Sequence, residues 1–178
     1  GELHHRGALE VIAAGRYRIA VPAAEWDAPW SLWPLGDIHW WNAACDEAAA
    51  DETLAAIAED SKSRVIGMGD YSDLIGHQDK RFDGDSIAPS MVMDWLKRHG
   101  SAARDHLIEK LSPIKGKIVG LHLGNHEWKY ANVMESPVVQ DACKAMGVKF
   151  LGYSAFTDIA FVLAGTRTEH RLRIFSHH

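Results

Sequence analysis

"RVIGMGDYSD", residues 64–73, is an apolar run that stops at a glycine and then delivers two carboxylates, Asp70 and Asp73. A short apolar run closed by Gly-Asp reads as a strand that passes at once into a polar loop. The same pattern occurs twice more. "SLWPLGD" (31–37) ends at Gly36 and Asp37, and "GKIVGLHLGN" (116–125) ends at Gly124 and Asn125. Between the first and second runs lies "DEAAADETLAAIAED" (46–60), rich in Ala, Leu and Glu without Gly or Pro, which is a helix by propensity. Between the second and third, "GHQDKRFDGDSIAPS" (76–90) reads as a long polar loop. Residues 91–111 then return to helical spacing. Met91, Trp95, Leu96, His99, Leu107 and Leu111 are the expected buried face, and Gly100 is a point where the helix is free to split. "SPVVQDACKAMG" (136–147) reads as a further helix, with Ser136 as N-cap, Pro137 in the first turn and Gly147 as C-cap.

Strand and helix therefore alternate, which implies a parallel sheet covered by helices. Open α/β sheets carry their ligand sites at the carboxyl ends of the strands, where these polar motifs fall. Upstream, "YRIAVP" (17–22) reads as one strand in an N-terminal extension of residues 1–30. Downstream, "VKFLGY", "TDIAFVLAG" and "HRLRIFSHH" are three β-rich runs that read as the start of a second, mixed sheet.

The composition fits one globular domain. The chain has 178 residues, 47% hydrophobic and 24% charged, with a formal charge of −5. That balance gives no strong electrostatic footprint for DNA or an anionic membrane. No apolar run approaches the roughly 20 residues of a membrane span, and the N-terminal stretch lacks the pattern of a secretory signal. Cys45 and Cys143 stand far apart without metal-type pairing, as in a reduced, cytoplasmic protein. Eleven histidines is a high count. His4, His5, His99, His106 and His122 sit in polar or mixed surroundings and read as structural or solvated.

Four others, His39, His126, His177 and His178, stand where ligands belong. Asp37 and His39 follow the first strand, Asp70 and Asp73 the second, and Asn125, His126 and Glu127 the third; His177 and His178 close the last run. Asp and Asn offer oxygen and His offers nitrogen, a set suited to Mn, Fe or Zn. One carboxylate can bridge two cations, and two cations about 3.5–4 Å apart can clamp the attacking and leaving oxygens of a displacement at phosphorus. Alone, Asp37 and His39 read first as a polar turn; Asp70 and Asn125–His126 reverse that in favour of metal. Glu127 reads as the start of a helix, with no catalytic role. Trp40 and Trp41 read as core, or as a pocket wall that stacks on a base. Lys80 and Arg81 read as a solvated loop, with phosphate contact as the alternative.

In order, "GDIH" (36–39), "GDYSD" (69–73), "GNHE" (124–127) and "SHH" (176–178) resemble the calcineurin-like metallophosphoesterase family over residues 31–178. The resemblance implies an αββα sandwich with mixed sheets and two divalent metal ions, Mn first with Fe or Zn as alternatives. Asp37 and His39 would bind the first ion, Asp70 would bridge both, and Asn125 with His178 would bind the second. His177 is the alternative to His178, since strand alternation points only one of them inward. His126 would act on the leaving oxygen, oriented by Asp73. The implied activity is hydrolysis of a phosphodiester by a metal-bridging hydroxide; a DNA or RNA nuclease and a non-catalytic binding domain of the same fold are the alternatives. The family's closing Gly-His-x-His is missing, so the domain is expected to be incomplete at its C-terminal end. Leu74 and Leu123 stand where the protein-phosphatase branch places arginines, which argues against that branch.

Overall fold

The computed structural model describes residues 7–74, 85, 87, 92–134 and 136–178. In chain order the elements are β1 (Leu9–Ala13), β2 (Arg16–Val21), β3 (Ser31–Gly36), α1 (Glu47–Glu59), β4 (Ser63–Gly69), α2 (Val92–Leu111), β5 (Ile118–His122), α3 (Asn125–Met134), α4 (Val138–Met146), β6 (Phe150–Gly152), β7 (Ser154–Leu163) and β8 (Glu169–His177). Two four-stranded sheets result. One has the order β3-β4-β5-β6 with every pairing parallel, as the alternation of strand and helix requires. The other has the order β1-β2-β7-β8 and is mixed, with only β2 and β7 parallel.

The first sheet is buried on both faces. One face packs against the helices, through Leu54 and Ile57 of α1, Leu107 and Leu111 of α2, Tyr130 of α3 and Val139 and Met146 of α4. The other face meets the mixed sheet, where Tyr17 and Ile19 of β2 and Ile159 of β7 pack on Ile66, Val119 and Leu151. β4 and β5 accordingly read as nearly continuous apolar runs, whereas β2 alternates exposed Arg16 and Arg18 with buried Tyr17 and Ile19. Two polar ties cross between the sheets. Tyr17 donates its hydroxyl to the Val119 carbonyl at 2.6 Å, and His122 Nε2 lies 2.7 Å from Ser176 Oγ.

Several expectations are corrected. Two strands, not one, precede residue 31, and they belong to the mixed sheet rather than to a separate extension, because β2 pairs with β7 from Arg16 to Val21. The strand in "VKFLGY" joins the parallel sheet beside β5 and not the second sheet. Among the described residues the layers run helices, parallel sheet, mixed sheet; no second helical layer covers the outer face, where Phe156 and Phe175 are 67% and 60% exposed. Gly100 does not split α2. A Cβ there would lie 2.8 Å from both Ser136 Oγ and Tyr130 Oη, so this glycine serves the close approach of neighbouring elements. Ser136, placed in that contact, does not cap α4; Pro137 holds the N-cap position and Gly147 ends the helix at φ +72°. Trp40 and Trp41 are buried core. His4, His5, residues 76–84 of the polar loop with Lys80 and Arg81, Met91 and the side chains of Trp95, Leu96 and His99 lie outside the described residues.

Candidate metal centre

The three motif glycines have a shared task. Each directly precedes a candidate ligand, and each leaves no room for a side chain. A Cβ at Gly36 would meet the Gly69 carbonyl oxygen at 2.8 Å, one at Gly69 would meet Gly124 Cα at 2.6 Å, and one at Gly124 would meet Asp70 N at 2.0 Å. The carboxyl ends of β3, β4 and β5 therefore touch backbone to backbone, which brings Asp37, Asp70 and Asn125 to one edge. The chain bends sharply at that edge. Asp37, His39, Trp41 and Asp70 all take left-handed backbone, with φ of +56°, +54°, +78° and +49°. Such values are uncommon outside glycine and concentrate at sites whose surroundings enforce them.

Here the enforcement comes from hydrogen bonds. The loop after β3 donates Asp37, Ile38 and His39 N–H groups to the carbonyls of Gly69 and Asp70 at 2.9–3.1 Å. The loop after β4 is held from the other side by Glu127. This carboxylate is 1% exposed; its Oε2 accepts from Asp70 N at 3.0 Å and its Oε1 from Tyr71 N at 2.7 Å and Ser72 N at 3.1 Å. Burial pushes the Glu127 carboxyl up, the backbone donors pull it down and the Asp70 charge pushes it up again; the net is a raised value.

The ligand atoms converge in two groups. Nitrogen or oxygen atoms of Asp37, His39 and Asp70 all lie within 4.8 Å of one another. Donors about 2.0–2.2 Å from a common ion are separated by up to roughly twice that distance, so small rotations would close this group on a cation. His39 Nε2 rests 2.9 Å from Asp37 Oδ1. On the other side of Asp70, His178 enters from the end of β8. Its Nδ1 lies 2.6 Å from the Met68 carbonyl oxygen, an acceptor only, so Nδ1 carries the proton. Nε2 then presents a lone pair, which accepts the Asn125 N–H at 3.2 Å and faces Asp70 Oδ2 at 3.6 Å. A cation between these two atoms would take over the lone pair that the Asn125 N–H now occupies. A carbonyl that fixes the tautomer from behind is the usual partner of a metal-binding imidazole.

His177 does not join the site. It is exposed, pairs in register with Ser154 and lies parallel to the Phe175 ring. Of the two terminal histidines, the inward one is His178. Asp70 Oδ1 accepts the His126 N–H at 2.9 Å, so it is Oδ2 that faces the second group. Asn125 is the first residue of α3, with its N–H on His178.

His126 belongs to a different arrangement. Its Nδ1 lies 3.0 Å from Asp73 Oδ1, and the two side chains are 12% and 6% exposed. Asp73 Oδ2 accepts the Asn42 amide at 2.6 Å. Burial pushes the Asp73 carboxyl up, but the hydrogen bonds from His126 and Asn42 and the nearby His126 and His39 outweigh it, and the net is a lowered value. Atoms of His39, Asp73 and His126 also cluster within 4.8 Å. With both Asp73 oxygens already accepting hydrogen bonds, the Asp37, His39 and Asp70 group suits an ion better. The His39 and His126 rings meet edge to face at 4.6 Å between centroids. A groove of about 670 Å³ opens from this corner along α1, and its lining includes Asp37, His39, Asp46, Ala49, Asp73 and His126.

No family model, curated protein or solved structure matches the chain, so the class of the site rests on this geometry: an α/β fold with a His/Asp corner suited to metal. Two contributors escaped the sequence reading. In the sequence Glu127 marks only a helix start, and nothing marks Asn42. The two tryptophans before Asn42 and the two alanines after it carry no polar signal, and its partner Asp73 is 31 residues away.

Proposed function

We propose that this chain is a two-cation phosphoesterase that hydrolyses phosphodiesters. The observation that carries the reading is the position of Asp70: its carboxylate stands between the Asp37–His39 pair and His178, with the His126–Asp73 pair alongside. Asp37, His39 and Asp70 would hold one ion, and Asp70, Asn125 and His178 the other, with Mn first and Fe or Zn as alternatives. Such ions would supply charge to the phosphoryl oxygens and lower the pKa of a water.

The chain's own residues do the rest. Asp73 accepts the Nδ1–H of His126, so His126 works through Nε2. In the net reaction a water oxygen bonds to phosphorus and the bond from phosphorus to the leaving oxygen breaks. His126, protonated at both ring nitrogens, gives the Nε2 proton to that oxygen, and the proton released by the attacking water replaces it. The lining of the groove contains no Lys or Arg among the described residues but includes Asp37, Asp46 and Asp73. Leu74 is buried and Leu123 packs against the helical core, so neither position supplies a cation for a dianionic phosphate. Both features favour a monoanionic diester over a monoester.

The test is elemental analysis of the protein after dialysis against Mn, with hydrolysis of bis(p-nitrophenyl) phosphate measured on the same sample. About two ions per chain and Mn-dependent release of nitrophenol are expected. A protein that takes up no metal and leaves the diester intact would remove the proposal.

A further inference from the structure

Asp73 is gripped at both oxygens, and only one of the grips belongs to His126. The other is Asn42, whose amide nitrogen donates to Asp73 Oδ2 at 2.6 Å. The direction of that amide is settled by its other end. Asn42 Oδ1 accepts the Ala44 N–H at 2.8 Å, and a backbone N–H only donates, so the NH₂ end must face Asp73. Asn42 is itself anchored. Its N–H donates to the His39 carbonyl at 3.1 Å, its carbonyl accepts from Cys45 N at 3.0 Å, and its backbone bridges to Ile87.

A carboxylate held by one donor can swing about its terminal torsion, which is broad. Held by a donor on each oxygen, it cannot. Asn42 therefore sets the plane in which Asp73 meets the imidazole, and so the direction in which His126 Nε2 points. Misdirection of a proton donor by a fraction of an ångström is costly, because proton transfer requires heavy-atom distances of about 2.6–3.2 Å. The anchor also lies three residues beyond His39, on the loop that carries the first candidate ligands. The proton donor and the ligand loop are thus connected through one amide.

We infer that Asn42 is a positioning residue for the cleavage step: it locks the Asp73 carboxylate so that His126 presents Nε2 to the leaving oxygen. This rests on the phosphodiesterase reading. The simpler role for Asn42 is to close its own turn through Ala44, and substitutions separate the two. N42D keeps the shape and the acceptor for Ala44 N–H but turns the end that faces Asp73 from donor to acceptor. The swap N42D/D73N restores the match: the carboxylate at 42 accepts from the amide at 73, whose carbonyl oxygen still accepts the Nδ1–H of His126.

The experiment compares wild type, N42D and the swap on two diesters, with urea midpoint and metal content as controls. Diphenyl phosphate has the poorer leaving group and depends more on protonation than bis(p-nitrophenyl) phosphate. For N42D the expected result is a fall in kcat of about 10–100-fold on diphenyl phosphate, a much smaller fall on the nitrophenyl ester, little change in KM or metal, and a lower urea midpoint that the swap restores, because two carboxylates then face each other where Asn42 donated to Asp73. The swap should recover most of the loss. A second readout needs no turnover. The Nδ1–H proton of His126 should give a resolved resonance in ¹⁵N-labelled wild type, vanish in N42D and return in the swap. Equal falls on both esters, or an Nδ1–H signal that survives N42D, would overturn the inference. An inert wild type with an Nδ1–H signal that does respond would overturn the phosphodiesterase reading and the catalytic role of Asn42 with it, leaving only the Asn42–Asp73–His126 hydrogen bonds.

Discussion

At the scale of single residues, the side chain with the most to lose is Glu127. Its two oxygens accept three backbone N–H groups from the loop that carries Asp70. A glutamine there has one acceptor oxygen. If that oxygen serves Tyr71 and Ser72, the amide NH₂ faces the Asp70 N–H, and a buried donor loses its partner. E127Q should cost about 1–3 kcal/mol, read as a lower urea midpoint, and should loosen metal binding as the Asp70 loop relaxes. An unchanged midpoint would show that the three contacts contribute nothing net. Substitutions at the two central site residues separate binding from chemistry. H126A should keep its metal and lose about 10²–10⁴-fold in kcat, the typical contribution of a positioned acid. D70A should lose both, because it removes the carboxylate shared by the two ligand groups. Metal loss in H126A would make His126 a ligand instead. None of the three roles can be read from neighbours in the chain. Asp73 and His126 are 53 residues apart, and Glu127 and Asp70 are 57 apart.

At the scale of elements, α1 begins with a local cap and ends with a distant one. Asp46 accepts the Ala49 N–H at its N-terminus, as its place before an Ala-rich run suggests. At the other end, Lys117 reaches across from the start of β5. Its Nζ donates to the carbonyls of Ile57, Ala58 and Asp60 at 2.5–2.8 Å, where the last carbonyls of a helix lack partners and a cation is favoured. K117M keeps the aliphatic stem and removes these bonds. We expect a loss of about 1 kcal/mol, after allowance for solvent around a partly exposed ammonium, seen as a Tm lower by about 2–4 °C. No change in Tm would mean that water replaces the lysine at no cost. The strand ends are less forgiving. In G124A the added methyl would sit 2.0 Å from Asp70 N and 2.1 Å from its Oδ1. That displaces the ligand rather than a flexible tip, so metal uptake should fall together with a destabilisation of about 1–3 kcal/mol. Retention of full metal occupancy by G124A would contradict the close packing of β4 and β5 at this edge.

At the scale of the whole molecule, the two sheets are joined across their interface by His122. Its Nδ1 lies 2.9 Å from the Gly152 carbonyl oxygen within the parallel sheet, and its Nε2 faces Ser176 of the mixed sheet. Nδ1 must donate to the carbonyl, and burial favours the neutral ring, in which Nε2 accepts the serine hydroxyl. Burial lowers the His122 pKa, with the neighbouring His177 and His178 adding to the effect, although the Gly152 bond opposes it. His106 is lowered chiefly by burial as well. A folded value below the unfolded one near 6.5 means that the unfolded chain takes up protons first as the pH drops. Stability from these groups is therefore complete above about pH 6.5 and is lost as the pH falls toward and through the folded values. The urea midpoint should be lower at pH 5.5 than at pH 7.5, and H122N should flatten the difference. The carboxylates with lowered values, such as Asp60 and Asp73, act in a more acidic range and do not contribute to this window. Glu127, with its raised carboxyl pKa, acts in the opposite sense as the pH falls but is common to both proteins, so an equal pH difference in wild type and H122N would show that His122 is not neutralised by the fold. Among the described residues, no helix is long and apolar enough to cross a membrane.

The sequence by itself determined what depends on near neighbours. The strands at 31–36, 63–69 and 118–122, the helix from 47 to 59 and the parallel order of these strands follow from apolar runs, helix formers and glycines a few residues apart. It also placed Asp37, Asp70 and Asn125 at one edge, because each directly follows a glycine that ends its strand. Tertiary structure decided the rest, since the remaining choices turn on partners 30–110 residues away. Strand alternation can say that one of His177 and His178 points inward, but only the Met68 carbonyl and Asp70 pick His178. A short β-rich run can pair with either sheet, and the open edge of β5 takes β6. An Asn after two tryptophans and a Glu after a His have no local role to announce. Their function exists only where folding brings Asp73 and the Asp70 loop within hydrogen-bond reach, because a hydrogen bond depends on distance in space and not on separation along the chain.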